Sequence, residues 1–142
     1  MTTNTGSARY EGLGKDGKGH VSTGSGALAD QPYGFNTRFE GAKGTNPEEL
    51  IGAAHASCFT MALSFALARA GHADGKIETT ATITLVKDGD GFTVTRSDLV
   101  TSARVPGIEE ADFQAIAADA KVNCPISKLL NAEITLEATL ES

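Results

Sequence analysis

The apolar and polar positions divide the chain into three parts. A front third holds short alternating stretches, a long apolar run follows, and a back half of long alternating stretches encloses a second helical pattern. SARYEG, GHVSTGSGAL and GFNTRFEG lead, separated by glycine-rich turns. That spacing predicts three strands in an antiparallel meander. In GFNTRFE, Phe35, Thr37 and Phe39 would share one strand face, with Asn36, Arg38 and Glu40 on the other.

The long run, NPEELIGAAHASCFTMAL from position 46, predicts the best-defined element. Asn46 suits an N-cap, Pro47 the first helical position, and Glu48 and Glu49 the acidic first turn. Gly71 supplies a C-cap, so the helix spans about residues 47 to 70. By length alone, residues 50 to 68 resemble a membrane span. They hold His55, Ser57, Thr60 and Ser64, favour alanine over leucine and run into Arg69, which predicts a helix buried in a protein core instead.

Beyond it, IETTATITLVKDGDGFTVTRSDLVTSARV predicts two long strands joined at DGDG, with Ile77, Thr79, Ala81, Ile83 and Leu85 on one face. A second helix, from about Glu109 to Lys121, places Phe113, Ile116 and Ala117 on one side. NCPISKLL predicts a short helix and AEITLEATL a final strand. The order β-β-β-α-β-β-α-β predicts an α+β fold with antiparallel sheet and segregated helices. At 142 residues the chain reads as one domain, 1–142, able to bury a core without metal or disulfide staples.

Composition narrows the function. A net charge of -6 weighs against nucleic acid or an anionic membrane as partner. MTTNTGSARY lacks the basic and apolar segments of a secretory signal, which predicts a cytoplasmic location. In that reducing compartment a purely structural disulfide between Cys58 and Cys124 is disfavoured.

Three motif readings fail on context. Gly12, Gly14 and Gly17 spell GxGxxG, but HVSTGSGAL after them opens no helix and no βαβ unit surrounds them. DGDG lacks the spaced oxygens and terminal glutamate of a calcium loop. A zinc site from Cys58, Cys124 and His20, His55 or His72 has neither CxxC nor HxxxH behind it.

The two thiols remain. A thiol reacts as thiolate, which forms where positive potential lowers its pKa. Cys58 lies about eleven residues into its helix, beyond the reach of the N-terminal dipole. It is either a small core hydrophobe or a nucleophile whose cation comes from elsewhere in the fold. Cys124 precedes Pro125 at the start of the short helix, so local electrostatics make it the more acidic thiol. His55, three residues before Cys58, fits a satisfied core histidine or a Cys–His pair.

GTNPEELIGAAHASCFTMALS, followed by NCPISKLLN, closely resembles the OsmC/Ohr family of thiol-dependent hydroperoxide reductases. NTRFEG and KGHVSTGSG are similar to its OsmC branch. The likeness covers essentially the whole chain. It implies antiparallel sheets wrapping a long buried helix, in an intertwined homodimer induced by oxidative or osmotic stress. It also implies a role for each matching position. Cys58 would be the peroxidatic cysteine, oxidised by the peroxide to a sulfenic acid, and Cys124 the resolving cysteine that condenses with it. Arg38 would be the cation beside Cys58, and Glu48 would orient Arg38. The family implies small-molecule organic hydroperoxides as substrates, with hydrogen peroxide a poorer one. No metal, haem or flavin is implied; an external dithiol, with a lipoyl-protein as one candidate, reopens the disulfide.

These residue types suit that chemistry. Arg38 would supply the charge that helix position denies Cys58 and stabilise charge developing on the peroxide oxygens. A carboxylate fixes a guanidinium by two parallel hydrogen bonds. With Asn46 as N-cap, Glu49 is placed for the cap and Glu48 for Arg38; a cap at Thr45 would exchange them. Phe39, Phe59 and Met61 are candidates to line an organic pocket or simply to pack the core. On a straight helix, Glu48 and Cys58 are roughly 15 Å apart along the axis. Either the helix breaks near Gly52, or a partner chain supplies one of them, with Gly52, Ala53, Ala54 and Ala56 allowing close packing. A non-enzymatic redox-sensing or ligand-binding protein on the same fold is the alternative function.

Overall fold

The computed structural model describes residues 1–142, which form two compact units, Met1–Leu50 and Ile51–Ser142.

In the first unit, β1 (Gly6–Glu11), β2 (Lys18–Thr23) and β3 (Gln31–Tyr33) make an antiparallel meander in that order. The GxGxxG segment is the β1–β2 hairpin loop. It holds one 3-10 turn, Gly14–Asp16, whose Gly14 carbonyl accepts the Tyr10 hydroxyl at 2.9 Å. Gly19 in β2 is required by packing, since a Cβ there would lie 2.7 Å from the Tyr33 carbonyl oxygen and ring.

The stretch GFNTRFE corrects the strand expected there. Phe35–Phe39 is a short helix, α1. Phe35 and Phe39 share a side because they are four residues apart, and their rings meet at 5.0 Å between centroids. The Thr37 hydroxyl closes the first turn: it accepts the Gly34 N–H at 2.8 Å and lies 3.0 Å from the Gly34 carbonyl. Local bonds of this kind give the backbone an alternative to a strand ladder.

In the second unit, β4 (Lys76–Asp88), β5 (Gly91–Arg104) and β6 (Glu133–Glu141) form a sheet in that order. β4 and β5 are antiparallel and joined by two residues, with Gly89 at φ 61° in the left-handed region. β6 differs from the antiparallel expectation by pairing parallel to β5. A parallel partner needs a long crossover, which α3 (Glu110–Asn123) and α4 (Pro125–Leu129) supply.

The long helix α2 runs Pro47–Arg69, its first turn in the first unit and the remainder in the second. Glu49 N–H donates to Asn46 Oδ1 at 2.8 Å, which makes Asn46 the cap. At the other end Gly71 has φ 96°, and His72 N–H returns to the Leu67 carbonyl at 2.9 Å, a Schellman ending. The helix is continuous through Gly52. Gly52 serves its own chain: a Cβ there would meet the Ala81 carbonyl of β4 at 3.1 Å.

Gly52, His55, Phe59, Leu63 and Leu67 form the buried stripe of α2. Phe59, Leu63 and Leu67 join Leu99 and Ala103 of β5 and Phe113, Ala117 and Ala120 of α3 in one core. Truncating Phe59 or Phe113, both fully buried, to alanine costs about 3–5 kcal/mol. Burial of the helix is one-sided: Met61 and Phe65 are 61% and 60% exposed.

Candidate active site

Cys58 and Cys124 are free thiols that meet inside the second unit. Cys58 is half-buried on α2, with its neighbour Phe59 turned fully into the core. Cys124 is fully buried where α3 ends and α4 begins. The sequence places them 66 positions apart, and the crossover from β5 back to β6 brings them together.

Their environments differ. Burial pushes the Cys58 thiol up, Cys124 beside it pushes it further, and the Ile126 N–H opposes. Burial also acts against the Cys124 thiolate. There, however, Cys58, the backbone N–H and hydroxyl of Ser127, and the Ile126 N–H outweigh burial and bring Cys124 below the ordinary thiol value. Cys124 is therefore the more acidic thiol of the pair, as its position before Pro125 predicts.

The first unit holds the other predicted pair. Arg38, in α1, donates from Nε to Glu48 Oε1 at 2.7 Å and from Nη2 to Oε2 at 2.9 Å. Such a fork fixes both the plane and the direction of the guanidinium. Glu49 is occupied elsewhere, accepting the Thr45 hydroxyl at 2.8 Å while its N–H is capped by Asn46. Glu48 thus takes Arg38, while Thr45 holds the Glu49 carboxylate. Arg38 lines a pocket of about 300 Å³ with Tyr10, Tyr33, Phe35 and Phe39, where its guanidinium lies 5.3 Å from the Phe39 ring centre. Phe39 therefore lines a cavity, while Phe59 is core and Met61 lies on the open face of α2.

His55 pairs with neither thiol directly. It is fully buried, with Nδ1 2.5 Å from the Ser97 hydroxyl and Nε2 2.8 Å from the Ser127 hydroxyl. Burial lowers its pKa and keeps it neutral. Ser97 and Ser127 escape a reading of the sequence, being 42 and 72 positions from His55. One signal was available: Ser97 alternates with Leu99, Thr101 and Ala103 on the inward face of β5, where a polar residue needs a partner.

The family model for OsmC-like proteins matches residues 40–139. The chain is 56% identical over 137 residues to the peroxiredoxin OsmC of Escherichia coli strain K12, covering 96% of each chain. It is 32% identical over 99 residues to the organic hydroperoxide resistance protein OhrA of Bacillus subtilis strain 168, covering 67% of each. The crystal structure of OhrB from Bacillus subtilis superposes with a TM-score of 0.70 at 26% identity, over 99% of this chain and 98% of that one.

Proposed function

The chain belongs to the OsmC family, and from that premise we propose how its two thiols share the work of a peroxidase. It is a thiol-dependent enzyme that reduces hydroperoxides. Cys58, the more accessible thiol, attacks the peroxide as thiolate. Its sulfur takes the terminal oxygen, the O–O bond breaks, and the alcohol leaves, so Cys58 becomes a sulfenic acid. Cys124 then displaces hydroxide from that sulfur, giving the Cys58–Cys124 disulfide and water. An external dithiol returns both thiols by exchange, with a lipoyl-protein one candidate. This chemistry needs no prosthetic group. The observation that carries it is the meeting of a half-buried and a fully buried thiol from distant parts of the chain.

The position of Cys58 leaves a requirement open. Burial and its neighbour oppose the thiolate, so a cation must come from outside that environment. Arg38, held by Glu48, is the proposed source, and the aromatic pocket around it suits an organic substituent better than hydrogen peroxide. The names of the Ohr relatives support organic hydroperoxides as the preferred substrate class. A continuous α2 separates Glu48 from Cys58 by roughly 15 Å along its axis. We therefore propose a homodimer in the cytoplasm, each chain a single OsmC-like domain, with the open face of α2 around Met61 and Phe65 covered by the partner.

The test is steady-state reduction of cumene hydroperoxide with dithiothreitol. Cys58→Ser is expected to abolish turnover, and Cys124→Ser to accumulate a trappable sulfenic acid. Full turnover by Cys58→Ser sinks the reading.

A further inference from the structure

Ser97, His55, Ser127 and Cys124 form a buried polar chain, of which the peroxidase chemistry above uses only the last member. His55, Ser97 and Cys124 are 0% exposed and Ser127 is 8% exposed. His55 joins the two serines through its two ring nitrogens, at 2.5 and 2.8 Å. Ser127 lies three residues after Cys124, the N-cap of α4, and its hydroxyl is among the groups that act on the Cys124 sulfur.

A serine hydroxyl has one proton to donate. If Ser127 gives it to His55 Nε2, the Cys124 sulfur loses that donor. For Ser127 to donate to sulfur, Nε2 must carry its own proton and donate to the Ser127 oxygen. A neutral imidazole protonated on Nε2 then accepts the Ser97 proton at Nδ1. In that tautomer both His55 hydrogen bonds run from Ser97 toward Ser127, which leaves the Ser127 proton for the sulfur. Burial, by keeping His55 neutral, keeps one ring nitrogen free to accept.

We propose that Ser127 is a catalytic residue of the resolving step, and that His55 and Ser97 are positioning residues that aim its hydroxyl at the Cys124 sulfur. The inference rests on Cys124 being the resolving thiol. In that step the Cys124 thiolate attacks the sulfenic sulfur of Cys58, the S–S bond forms and the S–O bond breaks. The departing hydroxide combines with the proton Cys124 released, so Cys58–SOH and Cys124–SH become a disulfide and water. A hydroxyl held on the sulfur favours the thiolate where burial alone would neutralise it. Cys58 on α2 is the titratable group facing Cys124, and the other groups acting on it, from Ile126 and Ser127, are uncharged donors.

Two readouts on the full chain test this. In Cys58→Ser, thiolate absorbance titrates Cys124 without peroxide chemistry. Adding Ser127→Ala is expected to move that titration upward by about one pH unit, as one lost hydrogen bond to a charged group does. His55→Leu is expected to move it similarly. His55→Gln, whose amide still donates to Ser127, should move it less. With both cysteines present, a pulse of cumene hydroperoxide followed by quenching and mass spectrometry separates sulfenic acid from disulfide. Ser127→Ala is then expected to slow disulfide closure about threefold, less thiolate being partly offset by its greater nucleophilicity. An unmoved Cys124 titration in Ser127→Ala overturns the inference, and this variant stays readable even where His55→Leu does not fold. Equal shifts in His55→Gln and His55→Leu overturn the positioning role of His55. Should the wild-type chain form no disulfide, the peroxidase reading fails, while the Cys124 titration still decides the role of the hydroxyl.

Discussion

Cys58 and Cys124 are neighbours, yet their surroundings push their acidities in opposite directions. Cys58 sits mid-helix, where the backbone N–H groups of α2 are spent on the helix itself and burial holds the thiol neutral. Cys124 sits at a junction of two helices, where the N–H groups of Ile126 and Ser127 are free to point at sulfur. A thiol in the middle of a helix depends on charge brought to it, whereas one at a helix start is served by its own turn. The proposed nucleophile is thus the dependent thiol, and its activity can be controlled by whatever delivers the charge.

Removing that charge has the largest expected effect. Arg38→Ala is expected to slow Cys58 oxidation by about a hundredfold or more, in stopped-flow with cumene hydroperoxide. The Cys124 titration should stay in place. Arg38→Lys should recover only part of the rate, because an ammonium cannot make the two-point contact with Glu48. An unchanged rate in Arg38→Ala would show that Cys58 is activated within its own surroundings.

Acid should act on the Cys124 side through His55. Burial holds the folded pKa of His55 below its ordinary 6.5. Below 6.5 the unfolded chain binds a proton that the fold refuses. The stability due to a neutral His55 is therefore full above that pH and declines as pH falls below it, by at most about 1.4 kcal/mol per pH unit. Denaturant melts across that range should show the decline, and His55→Gln should flatten it. An equal slope in the variant would mean that other groups carry the acid sensitivity.

The smallest expected effect lies at the start of α2. Asn46→Ala removes the bond to the Glu49 N–H and is expected to cost about 1 kcal/mol in a urea melt. The Glu49 carboxylate stays on the Thr45 hydroxyl and Glu48 stays on Arg38, so the rate of Cys58 oxidation should hold. Lost stability with no change in that rate would separate the cap from the Arg38–Glu48 pair.

What could be read from the sequence was what short segments decide for themselves. Asn46, Pro47 and Gly71 bound α2 because caps act within a turn, and DGDG closes the β4–β5 hairpin for the same reason. Two features escaped. Phe35, Thr37 and Phe39 alternate as a strand would, yet the two phenylalanines are also four apart, and the Thr37–Gly34 bonds tip the segment into helix. The direction of β6 depends on a crossover of two helices, which no local pattern records. In the site, Arg38 and Glu48 carried a family likeness, and capping logic separated Glu48 from Glu49. The bonds from His55 to Ser97 and Ser127 did not show, because each joins distant segments.

The parallel seating of β6 has a consequence for how the chain assembles. β4 and β5 can zip together as soon as their two-residue turn forms. β6 pairs Glu133 with Arg96, so its rung waits on a loop that must first wind into α3 and α4. Ile134, Leu136, Ala138 and Leu140 pack against the core only then. During synthesis the second unit therefore presents an unfinished sheet edge and an open apolar trough until its last strand is available.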